Sequence, residues 1–249
     1  MSVTDPKEIE ELEDRLWALY VDILAKPFME KYDDAWEEES YWAAVETFKI
    51  KVKKIDIEDP FEILAKFKVT SYENIRDRLK AGPPACFRKG WKSPLLGAKV
   101  DSVAAIAPLE HVHGSKFTGK ERVVVLDFWA TWCEPCIDAG PELSELAEKY
   151  AGRAVIVGVN NQRMFRPNED TTSVVKTFLE EHKKDFRYPI YVDTDEGHAR
   201  DTVFKPSEYK GIPCVIVIVE GVVTYVGGPQ KDFIAALEAG VEAVPAKDE

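Results

Sequence analysis

Cysteine is scarce in this chain, with four in 249 residues. That is too few for a disulfide scaffold, so the spacing of the cysteines matters more than their number. No uninterrupted apolar run approaches the roughly 18 residues needed to span a bilayer, and no membrane partner is expected. Bases are in deficit, 33 Lys and Arg against 45 Asp and Glu, for a formal net charge of −12. Such a chain repels phosphate backbones, which argues against nucleic acid as a partner. The acidic stretch Met1 to Asp14 has neither the apolar centre of a secretory signal nor the arginines of a transit peptide. A cytoplasmic protein is the expectation. Flavin and nicotinamide fingerprints are also missing, so no bound cofactor is expected. What the chain does have is 45% hydrophobic and 11% aromatic residues, enough for a core.

The length suits one or two domains, and the composition shifts near residue 95. Residues 1–46 carry 14 acids against 4 bases, and residues 47–95 carry 12 bases against 6 acids. Opposed signs of this kind describe helices that pack together or present solvated faces. Asp5-Pro6-Lys7-Glu8 is a helix start, with an N-cap, a proline at the first helical position and a glutamate at the third. Ile9, Leu12, Leu16, Leu19, Tyr20 and Ile23 follow at helical spacing. The same signature recurs at Asp59-Pro60, and Thr70 with Glu73 forms a capping box. Tyr32, Trp36, Tyr41, Trp42, Val45 and Phe48 form an aromatic-rich helical stretch whose expected use is packing. Residues 1–95 therefore read as a helical region.

Strands and helices alternate from residue 96 onward. Val123–Trp129 has the apolar character of a central strand buried on both faces. Leu143, Leu146, Ala147 and Tyr150 mark the helix after it. Further strands are expected at Ala154–Val159, Tyr188–Val192, Val215–Val219 and Val222–Val226, with a leading strand near Val100–Ala107. Helices are expected at Thr172–His182 and from Pro229 onward. The fold class is α/β, a mixed central sheet flanked by helices, occupying residues 96–249.

Cys133-Glu134-Pro135-Cys136 falls where the central strand passes into its helix. A thiol at a helix N-terminus faces the positive end of the backbone dipoles, which favours the thiolate. The thiolate attacks disulfides, and a second thiol two residues further on resolves the mixed disulfide. Trp132 can cover the site. Asp127 is an unusual carboxylate within an apolar strand. Its burial should raise its pKa, making it a candidate proton acceptor for the second thiol. Other readings of Cys-x-x-Cys remain: a zinc site, although His111, His113, His182, His198, Cys86 and Cys214 show no knuckle spacing; a structural disulfide; or a fold that has lost its chemistry.

Val125 to Cys136 closely resembles the active-site strand and turn of thioredoxins. Pro141 stands where that family has its helix-kinking proline. Gly211-Ile212-Pro213 resembles the cis-proline loop facing the catalytic pair, and Val226-Gly227 the glycine that keeps the substrate groove open. The insertion at about 161–210 and the expected leading strand are similar to the TlpA-like and redoxin-like branch, whose members are often membrane-anchored; no anchor segment is visible here. The resemblance implies a thiol–disulfide oxidoreductase acting on disulfide-containing proteins. In it Cys133 attacks, Cys136 resolves and Asp127 moves the proton, while Trp132, Ile212, Pro213 and Gly227 meet the substrate. It also implies recycling by thioredoxin reductase with NADPH, or by glutathione. No metal is expected.

The chain departs from the family at two points. Glu134-Pro135 replaces Gly-Pro, placing a negative charge beside the nucleophile. The stretch Ile156 to Asn160 lacks the lysine that thioredoxins keep beside the buried carboxylate. Two other functions compete with the leading one. A peroxide reductase would carry Thr or Ser three residues before its cysteine, where this chain has Ala130. A partner-binding module would use the helical region for docking and the thioredoxin-like part as scaffold. Cys214, next to the expected cis-proline, reads as a small residue entering a strand or as a third thiol near the pair.

Overall fold

The computed structural model describes Leu12, Arg15, Leu16 and Leu19 together with residues 38–53, 91–162 and 171–245. The helix starts expected at Asp5, Asp59 and Thr70, the residues Ile9, Tyr20, Ile23, Tyr32 and Trp36, and Cys86 lie outside the described residues. The chain divides into two units, Met1–Trp91 and Lys92–Glu249.

In the first unit, α1 runs from Glu38 to Lys53. It buries Val45, Phe48 and Val52, spaced three and four residues apart, so that one helical stripe carries them. Leu12 and Leu16 are buried as well. Among the described residues, no helix is long and apolar enough to cross a membrane.

The second unit is a six-stranded mixed sheet with the order β1-β4-β3-β2-β5-β6. Its strands are β1 (Glu110–His113), β2 (Val123–Trp129), β3 (Val155–Asn160), β4 (Ile190–Val192), β5 (Cys214–Val219) and β6 (Val222–Gly227). β2 pairs in parallel with β3, as β3 does with β4, whereas β5 runs antiparallel to both β2 and β6. All seven residues of β2 are buried. A parallel strand covered on both faces requires that near-continuous apolar character. The helices of the unit are α2 (Ser102–Ile106), α3 (Glu134–Lys149), α4 (Thr171–Glu181) and α5 (Lys231–Ala243).

Two sequence expectations are corrected. Residues 100–107 form no strand. Asp101 caps α2 by accepting from the Val103 and Ala104 amides at 3.0 Å each, which commits Ser102–Ile106 to a helical turn. The strand on that side is β1, which is part-exposed, polar and short, as an edge strand must be. Pro229 lies outside the last helix, whose N-cap is Gln230.

The inserted segment builds one flank of the sheet. Asp193 accepts from the amides of Thr194, Ala199 and Arg200 at 2.9 Å each, tying down the turn that enters the π-helical residues Arg200–Phe204. Phe178 of α4, Phe186 and Trp129 pack as an aromatic cluster, with Trp129 and Phe186 centroids 4.9 Å apart.

Candidate functional site

Strand β2 ends at Trp129 and α3 begins at Glu134, so the turn between them carries the cysteine pair. Cys133 is the N-cap, with φ −88° and ψ 93°. Its carbonyl accepts from the Cys136 amide at 2.9 Å and the Ile137 amide at 3.1 Å. Pro135 sits in the first turn, where a missing N–H costs nothing. Cys133 and Cys136 form a disulfide of 2.09 Å with Cα atoms 5.2 Å apart. Both are nearly buried, at 4% and 2% exposed, whereas Trp132 is 40% exposed beside them.

A second segment faces the pair. The Ile212–Pro213 peptide bond is cis, and Cys133 Sγ lies 3.6 Å from the Ile212 carbonyl oxygen. β5 then begins at Cys214, which is fully buried and opposite Phe128 in register. At Gly227, a Cβ would stand 2.5 Å from the Tyr225 hydroxyl oxygen, so only glycine fits without displacing that ring. Pro141 lies inside α3, where it removes one backbone donor.

Asp127 sits in the fifth position of β2 at 2% exposure. Burial raises its pKa from 3.8 to about 7, and a hydrogen bond from Tyr188 opposes that rise. The Tyr188 hydroxyl donates to Asp127 Oδ2 at 3.0 Å. Asp127 Oδ1 has no hydrogen-bond partner among the described residues. β3 places Gly158 opposite Asp127, at the stretch that lacks the lysine.

Two contributors were not singled out from sequence. Tyr188 lay within an expected strand, and nothing local marks it as the partner of a carboxylate 61 residues away. Gln162 steadies the turn before Cys133: its Oε1 accepts from the Thr131 amide at 3.1 Å and the Thr131 hydroxyl at 2.8 Å. His111 and His113 lie in β1 on either side of a register shift.

A dithiol couple at a helix N-terminus, opposite a cis-proline loop and behind a mixed sheet, is the site of the thioredoxin superfamily. The chain is similar to redoxin-like members of that superfamily. The sequence model of the AhpC/TSA family matches residues 103–226. The thioredoxin-like protein YneN of Bacillus subtilis (strain 168) is 35% identical over 74 residues, covering 30% of this chain and 40% of that protein. Thioredoxin 2 of Chlorobaculum tepidum is 41% identical over 46 residues, 18% of this chain and 42% of the relative. The chain thus spans about two fifths of the length of these relatives. Among solved structures, a thiol-disulfide isomerase from Corynebacterium glutamicum matches with TM-score 0.44 and 19% identity over 63% of this chain and 98% of its own. A putative thiol:disulfide interchange protein DsbE from Chlorobium tepidum matches with TM-score 0.41 and 26% identity over 55% and 93%.

Proposed function

We propose that the protein is a thiol–disulfide oxidoreductase that reduces disulfides in client proteins. The observation that supports this reading most directly is the Cys133–Cys136 bond at the start of α3, with the Ile212 carbonyl beside Cys133. In the reduced protein, the Cys133 thiolate attacks one sulfur of the client disulfide and displaces the other as a thiolate. The Cys136 thiol gives its proton to Asp127. Its thiolate then attacks the Cys133 sulfur, forms the Cys133–Cys136 bond and expels the second client thiolate. The client gains two electrons, the dithiol loses two, and the carboxyl later releases its proton to water.

Trp132 and the Ile212–Pro213 loop flank the segment of client chain that carries its disulfide. An external dithiol supply, thioredoxin reductase with NADPH or glutathione, returns the pair to its reduced form. The setting in this reading is the cytoplasm, where such reductants are abundant.

The test is insulin reduction with dithiothreitol as the electron source. Wild-type protein is expected to accelerate insulin precipitation, Cys133→Ser to abolish the acceleration, and Cys136→Ser to accumulate a mixed disulfide with insulin. Absence of any acceleration by the wild type overturns the reading. It would move partner capture by the helical region to the front. Rapid peroxide-dependent consumption of dithiothreitol would favour a peroxide reductase instead.

A further inference from the structure

The buried carboxyl of β2 is held by a residue from the inserted segment. Tyr188 is 1% exposed and donates its hydroxyl to Asp127 Oδ2 at 3.0 Å. The phenol reaches that oxygen because β3 has no side chain at the position paired with Asp127, which is Gly158. A Cβ on Gly158 would stand 3.1 Å from Tyr188 Cε2, 3.2 Å from Trp129 Nε1 and 2.5 Å from Ile190 Cδ1. Phe186 backs the ring, with its centroid 6.0 Å from that of Tyr188. The hydroxyl is therefore aimed by packing as well as by its hydrogen bond.

We infer that Tyr188 is the positioning residue of the proton-accepting carboxyl: through the slot that Gly158 leaves open, its hydroxyl holds Asp127 Oδ2 and leaves Oδ1 to take and release the proton. The inference rests on the proposed role of Asp127 in the resolving step. Oδ1 has no hydrogen-bond partner among the described residues, so the two oxygens are unequal before any chemistry begins.

The surroundings make Tyr188 decisive. β3 and β5 pair Asp127 with Gly158 and Val215, neither of them ionisable. The buried residues of α3 are Cys136, Gly140, Leu143, Ser144 and Leu146, and those of α5 are Phe233, Leu237, Gly240 and Val241, none of them charged. Burial drives the carboxyl toward its neutral form, and the phenol is the group that opposes it. A donor to the charged form lowers a carboxyl pKa. Removing the donor therefore leaves Asp127 protonated to higher pH.

The test follows the carboxyl itself in the full oxidised chain, by infrared titration, with the band assigned by its loss in Asp127→Asn. In the wild type the midpoint is expected near pH 7. Tyr188→Phe keeps the ring and removes the donor, and is expected to raise the midpoint by about one unit, the worth of one hydrogen bond to a charged group. The acid limb of the pH–rate profile for insulin reduction moves up with it. Tyr188→Met, which fills much of the ring's space and carries no donor, moves both in the same direction and serves if Tyr188→Phe does not fold. A midpoint in Tyr188→Phe equal to that of the wild type overturns the inference, as does the absence of any titrating band that Asp127→Asn removes. Wild-type rates in Asp127→Asn at every pH would overturn the proton-accepting reading alone, and the infrared midpoints would still decide what Tyr188 does.

Discussion

Asp127 stabilises nothing by being charged. Its carboxyl titrates at 3.8 in an unfolded chain and at about 7 in the folded one. Between those values the folded form holds the proton more tightly, so stability falls as pH rises through that window. The penalty is absent below the unfolded value and complete above the folded one. Asp127→Asn removes the charge while retaining an oxygen that can accept from Tyr188. It is expected to raise folding stability at pH 8 by up to about 4 kcal/mol, and to change it little at pH 4. Urea unfolding at the two pH values checks this, and equal gains at both would show that the carboxyl is not neutralised by its burial. Such a residue was legible in sequence as an anomaly, a carboxylate in an apolar strand. Its partner was not, because the Tyr188 contact joins positions 61 apart and periodicity carries no information at that range.

At the scale of elements, α3 is the part that must stay in register with the rest of the site. Ser144 is fully buried on its inner face. Its hydroxyl donates to the Asp185 carbonyl at 2.6 Å and accepts from the Arg187 amide at 2.9 Å. One side chain thus couples α3 to the segment that delivers Tyr188. Ser144→Ala removes both hydrogen bonds at part-buried backbone groups and is expected to cost about 1 kcal/mol of stability, read from urea unfolding. Glu134 occupies the first turn of the same helix, adjacent to Cys133. Glu134→Gln removes a negative charge beside Cys133, the proposed nucleophile, so reduced protein is expected to react faster with iodoacetamide at pH 7, with the difference shrinking in 1 M salt. The elements themselves were readable where one force dominates. The apolar run of β2 and the proline in the first turn of α3 admit few alternatives. Residues 100–107 were misread because their apolar content suits a strand equally well, and the local bonds from Asp101 decided for a helix.

For the whole molecule, the unit Lys92–Glu249 holds Cys133, Cys136, Asp127, Tyr188 and the cis-proline loop. A chain of residues 92–249 is expected to fold and to reduce insulin at the full-length rate, and aggregation of that fragment would show that the helical region completes its core. The general architecture could be anticipated because strands and helices alternate from residue 96. How the inserted segment serves the site could not, since its contributions, the Tyr188 phenol on Asp127 and the Gln162 amide oxygen on Thr131, are contacts between distant positions. Under the proposed reductase reading, the depth of Cys133, 4% exposed beside a 40% exposed indole, has a consequence for selection among clients. A sulfur set that far back meets only a disulfide carried on a segment able to leave its own fold and lie in the groove. The rate of reduction is then proportional to how often each client opens locally. Ranked by rate, the clients of this protein would also be ranked by the fragility of the region around their disulfides.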